Sequence, residues 1–126
     1  CNNGGSQIDN VLRLYKNGNV STAGSFTASG NVTAYSDARV KENIVTIDNA
    51  LEKTLALRGV YYNRTDIEDK SQNTGVIAQE IQQILPQVVS EDSNGMLSVA
   101  YGNIVGILIE AIKELKAEID ELKSQK

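Results

Sequence analysis

The chain has 126 residues, a formal net charge of −4, no histidine and one cysteine. This length allows one modest globular core plus an extension. The acidic net charge and the lack of a basic patch exclude nucleic-acid binding through the phosphates. Without histidine and with Cys1 alone, the usual zinc sites, histidine-based triads and a disulfide within this chain are excluded, so we expect no metal and no cofactor.

Residues 1–35 are rich in Gly, Asn, Ser, Thr and Ala. A strand predicted at 11–15 precedes the Asn-Gly turn signal of residues 16–19, and further strands are predicted at 25–28 and 31–34. Gly-Asn-Val occurs at 18–20 and again at 30–32, a twelve-residue period typical of a repeating β structure in which three chains bury their few apolar side chains together. A flexible Gly/Ser linker is the alternative, and composition by itself favours the two about equally.

Residues 36–100 alternate short helix and strand signals, which predicts a small mixed globular region of the α+β class. A helix is predicted at 46–57, with Thr46 or Asp48 as its N-cap and Arg58-Gly59 closing it. A strand at 60–64 follows, and then a solvated, protruding loop at 65–74. Next come an amphipathic helix at 75–85 that Pro86 ends and a hairpin of residues 88–89 and 96–99 around Asn94-Gly95.

The clearest periodic signal lies at 101–126, where apolar residues step alternately by four and three. This predicts a coiled-coil helix with a positions at Val105, Ile112 and Ile119 and d positions at Tyr101, Leu108, Leu115 and Leu122. In a parallel assembly Glu118 would lie near Lys123 of a neighbour. The alternative is an amphipathic helix packed on its own domain, and Ile104, Ile107 and Ile109 widen the apolar face at the start of the helix accordingly.

This C-terminal helix also contains the longest apolar run, Ile104–Ile109, which is far short of the ~20 residues that cross a bilayer. We therefore expect no membrane partner. The carboxylates of Glu110, Glu114, Glu118 and Glu121 are interpreted as a solvated face of the coiled coil.

Because the chain has no histidine, the remaining candidate catalytic residues are a serine and a lysine, Ser36 and Lys41. They lie where residues 1–35 meet the predicted globular region. A serine hydroxyl needs a base to become a nucleophile, and a lysine amine can be that base in its neutral form. Their five-residue separation places the side chains about 140° apart on a helix and on opposite faces of a strand. The backbone must therefore bend between them, or the lysine must act across a subunit boundary.

Five motifs in order resemble the endosialidase-type intramolecular chaperone domain, the self-cleaving C-terminal chaperone of bacteriophage tailspikes, tail fibres and neck appendages. They are Ser-Asp-Ala-Arg-Val-Lys-Glu-Asn-Ile at 36–44, Arg-Gly-Val-Tyr-Tyr at 58–62, Gly-Val-Ile-Ala-Gln-Glu-Ile at 75–81, Leu-Pro-Gln-Val-Val at 85–89 and Val-Ala-Tyr-Gly-Asn-Ile at 99–104. The resemblance covers 36–126. It implies a homotrimer in which residues 101–126 form a three-helix coiled coil and residues 1–35 are the end of a β-rich fibre.

The resemblance also implies the site. In that family the motif serine is the nucleophile and the motif lysine its base, which correspond to Ser36 and Lys41, and the cut falls before the serine, between Tyr35 and Ser36. Four further positions match the motifs without settled roles: Arg39, Asn43, Gln79 and Glu80.

The function expected from these observations is a chaperone that promotes homotrimer folding and then cuts itself off once, as a serine autoprotease with no external substrate. Its partners would be its own copies and the preceding fibre domain. It would be made in the host cytoplasm and belong to the virion until the cleaved fragment is released. Two alternatives stay open: a non-cleaving trimeric fibre tip with a structural or receptor-binding role, and a eukaryotic membrane-associated regulator with the same self-cleaving module, which the fibre-like repeat disfavours.

Overall fold

The computed structural model describes residues 12–125, which fall into two compact units, one ending at Glu42 and the other beginning at Asn43. The described residues form three two-stranded antiparallel sheets, two short α-helices and one long C-terminal helix. This confirms the predicted α+β class.

The first unit contains one hairpin. Strand β1 (Leu12–Leu14) pairs with β2 (Val20–Thr22), with Leu14 opposite Val20. Gly18 takes a φ of +92° in the connection, and the Tyr15 N–H donates to the Asn19 carbonyl at 2.9 Å. The predicted Asn-Gly turn is therefore confirmed, as is the strand before it, except that Val11 lies outside the described residues.

The strands predicted at 25–28 and 31–34 are wrong for the single chain. Both segments lack strand hydrogen bonding, and Phe26 and Val32 in them are exposed. A strand requires a partner, and the turn at Gly18 folds β2, not a later segment, onto β1. Pairing between copies of the chain, as the twelve-residue period predicts, stays a prediction.

The second unit is built from seven regular elements. In chain order they are α1 (Ala50–Leu55), β3 (Val60–Asn63), β4 (Gln72–Gly75), α2 (Ala78–Ile84), β5 (Val89–Glu91), β6 (Leu97–Val99) and α3 (Val105–Ser124), with single 3₁₀ turns at Pro86–Val88 and Tyr101–Ile104. Strands β3 and β4 pair antiparallel, as do β5 and β6, the latter around Gly95 at a φ of +83°. The helix that ends before Pro86 and the hairpin at Asn94-Gly95 are thus confirmed.

Several predicted boundaries need correction. The helix predicted at 75–85 begins only at Ala78, since Gly75 is the last residue of β4. Helix α1 begins at Ala50 rather than Thr46 and ends before Arg58-Gly59, and neither Thr46 nor Asp48 is its N-cap, because Asn49 takes that position in a left-handed conformation. The loop predicted at 65–74 ends in β4, since Gln72–Gly75 pair with β3. Tyr101 precedes the α-helix in a 3₁₀ turn, so regular α-helical heptads begin at Val105 rather than at Tyr101.

One face of α3 forms the core with α1. Ile107 and Ala111 of α3 are buried against Ala50, and Ile47, Leu51, Leu85 and Ile104 pack around them. Ile81 of α2 is also fully buried, with 1% of its surface exposed. The beginning of α3 therefore packs on its own domain, as the wider apolar face predicted, although Ile109 points to solvent.

Glu114 of α3 caps the N-terminus of α1. Its carboxylate accepts hydrogen bonds from the backbone N–H groups of Ala50 at 2.7 Å and Leu51 at 3.3 Å, where Asn49 supplies no side-chain cap. A negative charge at a helix N-terminus also interacts favourably with the helix dipole. The interpretation of Glu114 as part of a solvated face is therefore wrong, because periodicity along α3 gives no information about a partner more than sixty residues away.

Replacing Glu114 by alanine is expected to lower the free energy of unfolding by about 1–2 kcal/mol, because two N-terminal N–H groups of α1 lose their acceptor. The exposed Glu121 on the same helix provides the matched control, and Glu121→Ala is expected to change the free energy by less than about 0.5 kcal/mol. Urea denaturation at equal protein concentration measures both values. Equal effects of the two substitutions would show that the cap contributes nothing.

Gly75 allows a close approach of Tyr101. A Cβ built on Gly75 would lie 2.6 Å from the Tyr101 Oη, which also accepts a hydrogen bond from the Val76 N–H at 3.3 Å. The end of β4 is thereby held against the turn that precedes α3. A side chain at this position would force the Tyr101 hydroxyl to move.

Gly75→Ala is expected to destabilise the fold by about 1–3 kcal/mol, because the added methyl group must displace the tyrosine hydroxyl. Gly106→Ala is the control: its Cβ would lie 3.5 Å from Ile47 Cδ1, an ordinary contact, and alanine within a helix is expected to raise stability by roughly 0.5–1 kcal/mol. Opposite shifts of the urea midpoint are the expected result. An unchanged midpoint for Gly75→Ala would contradict the role assigned to Tyr101.

Candidate active site

The chain bends between Ser36 and Lys41. Residues Ala38–Val40 form one 3₁₀ turn, in which the Val40 N–H donates to the Asp37 carbonyl at 3.0 Å and the Lys41 N–H to the Ala38 carbonyl at 3.1 Å. The Lys41 Nζ consequently reaches the Ser36 Oγ and donates a hydrogen bond to it at 2.6 Å. The bend, one of the two routes that the five-residue spacing left open, is present, and it joins the two side chains within one chain.

Hydrogen bonds between Asp37 and Arg39 also stabilise this turn. The Asp37 Oδ1 accepts from the Arg39 backbone N–H at 2.8 Å, and the Arg39 guanidinium binds both carboxylate oxygens, at 3.1 Å and 2.8 Å. The hydrogen bond from the Arg39 side chain lowers the pKa of Asp37, and the same bond raises the pKa of Arg39. Sequence reasoning overlooked Asp37, although aspartate just before a turn is a common N-cap.

Several features of the site decide what it can do chemically. Ser36 and Lys41 are exposed to solvent. Tyr35, which precedes Ser36 at the peptide bond predicted to be cut, has 95% of its surface exposed. Tyr35 also lines a surface recess with Asp37, Arg39 and Val40. In the observed hydrogen bond the lysine donates. For the lysine to act as a base it must lose a proton, after which the serine hydroxyl donates to the amine, and removing water around an amine favours that neutral form.

The other predicted site residues belong to the second unit. Asn43, its first residue, has a φ of +55°. Glu80, in the first turn of α2, accepts hydrogen bonds from Arg58 Nε at 3.1 Å and from its terminal nitrogen at 2.7 Å, and Arg58 lowers the pKa of Glu80. Gln79 is exposed on the same helix. The Glu80–Arg58 pair links α2 to the segment before β3 and gives Glu80 a structural contact.

The side chains predicted to associate between copies are exposed on the described chain. They are Val105, Leu108, Ile112, Leu115, Ile119 and Leu122, and Ile112 has 67% of its surface exposed. They lie on a stripe distinct from the face of Ile107 and Ala111 that α1 covers. We call this set the heptad stripe.

Metal-binding clusters and membrane-spanning helices are both absent from residues 12–125. No three His, Cys, Asp or Glu side chains there are grouped so that they could hold a metal ion. No helix in this part of the chain combines the length and apolarity needed to cross a membrane.

Comparison with known proteins gives matches of two kinds. Residues 36–90 match a peptidase family described as the chaperone of endosialidase. The chain is also similar to the long tail fiber protein Gp37 of several phages. It is 38% identical to that of Enterobacteria phage K3 over 75% of this chain and 8% of the relative, and 35% identical to that of Enterobacteria phage M1 over 80% of this chain and 45% of the relative.

A third relative, the long tail fiber protein Gp37 of Salmonella phage S16, is 28% identical over 89% of this chain and 16% of its own length. The chain thus spans less than half the length of each of these relatives. Residues 36–41, which the turn at Ala38–Val40 bends, are called the bent segment. The family match begins at Ser36, the first residue of this segment, and includes Lys41. The match confirms, for residues 36–90, the resemblance to the chaperone-of-endosialidase family that the sequence motifs predicted.

Proposed function

We propose that this chain is the C-terminal intramolecular chaperone region of a phage tail fibre, which assembles as a homotrimer and then cuts itself between Tyr35 and Ser36. The observation that carries the proposal is the 2.6 Å hydrogen bond between Lys41 Nζ and Ser36 Oγ at the start of the family match. A serine and a lysine in contact are the pair of groups that this chemistry needs.

The reaction proceeds in two steps. Lys41, as the neutral amine, takes the proton from Ser36 Oγ, which attacks the Tyr35 carbonyl carbon. The C–O bond forms, the C–N bond between Tyr35 and Ser36 breaks, and the proton passes from Lys41 to the departing Ser36 nitrogen. Water then hydrolyses the ester, giving a carboxylate on Tyr35 and restoring the serine hydroxyl. The enzyme acts once, because its nucleophile becomes the new N-terminus.

Assembly is supported by the heptad stripe. Six large apolar side chains at a and d spacing are exposed on α3, and burying such a stripe between helices is the usual source of coiled-coil stability. In a parallel trimer three copies of α3 would cover one another's stripes. The packing of Ile107 and Ala111 on α1 fixes α3 to its own domain and leaves the stripe free for this role.

A chaperone of this kind meets a physical need of β-rich fibres. Pairing between chains is non-local and therefore slow, and unpaired strand edges are exposed meanwhile. A helical trimer that forms early holds three copies in register and raises their effective concentration. Cutting it off afterwards leaves a fibre held by a high unfolding barrier. On this proposal residues 1–35 are the end of that fibre, and the chain belongs to the virion until the cleaved fragment is released.

Two measurements on the expressed chain test the proposal. Electrophoresis and intact mass from the start of expression are expected to reveal a fragment of residues 36–126 with an N-terminal serine, and sedimentation equilibrium to give a trimer. A chain that stays intact at all times contradicts self-cleavage, and a monomer at micromolar concentration contradicts assembly.

The second candidate is a fibre tip that trimerises without cutting and keeps a structural or receptor-binding role. The observation that favours it is that the tail fibre relatives carry names of fibre proteins without mention of a protease. An intact trimer in the experiment above is the result that this alternative predicts.

A further inference from the structure

We propose that Asp37 is a positioning residue for the self-cleavage: its carboxylate holds the turn that brings Lys41 to Ser36. This inference rests on the proposed function. Asp37 contacts neither the nucleophile nor the base through its side chain in the described hydrogen bonds, and its effect would be transmitted through the backbone.

Asp37 holds the turn through both its carboxylate and its backbone carbonyl. Asp37 has the extended backbone of an N-cap, at φ −68° and ψ 137°, and its Oδ1 accepts the Arg39 N–H at 2.8 Å while its carbonyl accepts the Val40 N–H at 3.0 Å. The Arg39 guanidinium then binds both carboxylate oxygens, which fixes the orientation of the carboxylate. Residues 37–40 are thereby joined by side-chain and backbone contacts at once.

The turn depends on hydrogen bonds such as this cap, because no buried side chain helps to hold it. It is a 3₁₀ helix of three residues with none of them buried, and such turns have weaker hydrogen-bond geometry than an α-helix. If the turn opens to an extended chain, the side chains of Ser36 and Lys41 point to opposite faces. The fraction of chains in the turn is therefore the fraction in which the lysine can reach the serine.

Positioning and proton transfer predict different results at Asp37. The Arg39 contact lowers the pKa of Asp37, and the group is a carboxylate at neutral pH with or without that contact. An asparagine side chain offers the same oxygen to the Arg39 N–H but carries no proton to exchange. Rescue by asparagine, with the pH dependence of the rate unchanged, is thus specific to a positioning role.

The test measures the rate at which the 36–126 fragment appears from pulse-labelled chain made by cell-free translation, with rates taken on the assembled fraction. We expect Asp37→Ala to cut about tenfold more slowly than wild type, in line with the loss of an N-cap, and Asp37→Asn to stay within about threefold with the wild-type pH profile. Ser36→Ala provides the uncut baseline.

Each outcome decides a different question. Cleavage of Asp37→Ala at the wild-type rate overturns the positioning role alone. A rate for Asp37→Asn as low as that of Asp37→Ala also overturns it, because the charge rather than the acceptor oxygen would then be required. A wild-type chain that never cuts overturns the proposed function itself, and this inference with it.

Discussion

Ser36→Ala is expected to abolish self-cleavage, leaving only the 126-residue chain at all times. Without the hydroxyl oxygen no ester can form at Tyr35, and no other group within the bent segment replaces it in the proposed reaction. Lys41→Met, which keeps the length of the side chain but removes the amine, is expected to slow cutting by roughly 10²–10⁴-fold, the usual contribution of a general base. Electrophoresis with intact mass measures both.

Glu42→Gln is the matched control, since it removes a charge from the exposed residue next to Lys41 without touching the pair. It is expected to cut at the wild-type rate. Hydroxylamine is a second check, because it attacks esters: it should accelerate cutting of the wild type and leave a hydroxamate on Tyr35. Cleavage of Ser36→Ala at the wild-type rate would rule out the serine mechanism.

The geometry further predicts action within one chain. Lys41 reaches the Ser36 of its own chain at 2.6 Å, so no partner lysine is needed. Trimers mixed from Ser36→Ala and Lys41→Met chains are therefore expected to remain uncut. Fragment release from such mixtures would demonstrate that the lysine of one copy serves the serine of another.

The parts of the fold that sequence predicted well are those with local causes. The Asn-Gly turns at Gly18 and Gly95 and the end of α2 before Pro86 depend on residues a few positions apart, and all three are present. The strands at 25–28 and 31–34 failed because strand pairing depends on a partner that local composition does not reveal. The cap of α1 by Glu114 is likewise a contact between segments far apart in the chain.

The candidate site divides in the same way. The spacing between Ser36 and Lys41 left a bend as one of two routes, and the turn at Ala38–Val40 supplies that bend. Which of the two open routes applied, a bend or a subunit boundary, could not be derived from the spacing. Asp37 was missed because its role depends on a side chain folding back onto the N–H two residues later, whereas the motif drew attention to the reactive groups.

Ile112→Asp is expected to convert the proposed trimer to a monomer at micromolar concentration. Ile112 occupies a predicted a position and is 67% exposed on the described chain, so we expect the fold of the single chain to tolerate the substitution. In a trimer it would bury three like charges in one layer of the coil, at a cost of several kcal/mol for each. Sedimentation equilibrium measures the loss of assembly, and circular dichroism tests that α3 remains helical.

Ala117→Asp is the matched control, because it adds the same charge to an exposed position of α3 outside the heptad stripe. It is expected to remain trimeric. Cutting is measured on both variants, because Ser36 and Lys41 are intact in each and a slower rate for Ile112→Asp would show that cutting depends on assembly. A monomeric Ile112→Asp chain that cuts at full rate would separate the two activities, leaving the chaperone role to the heptad stripe and the chemistry to the bent segment alone.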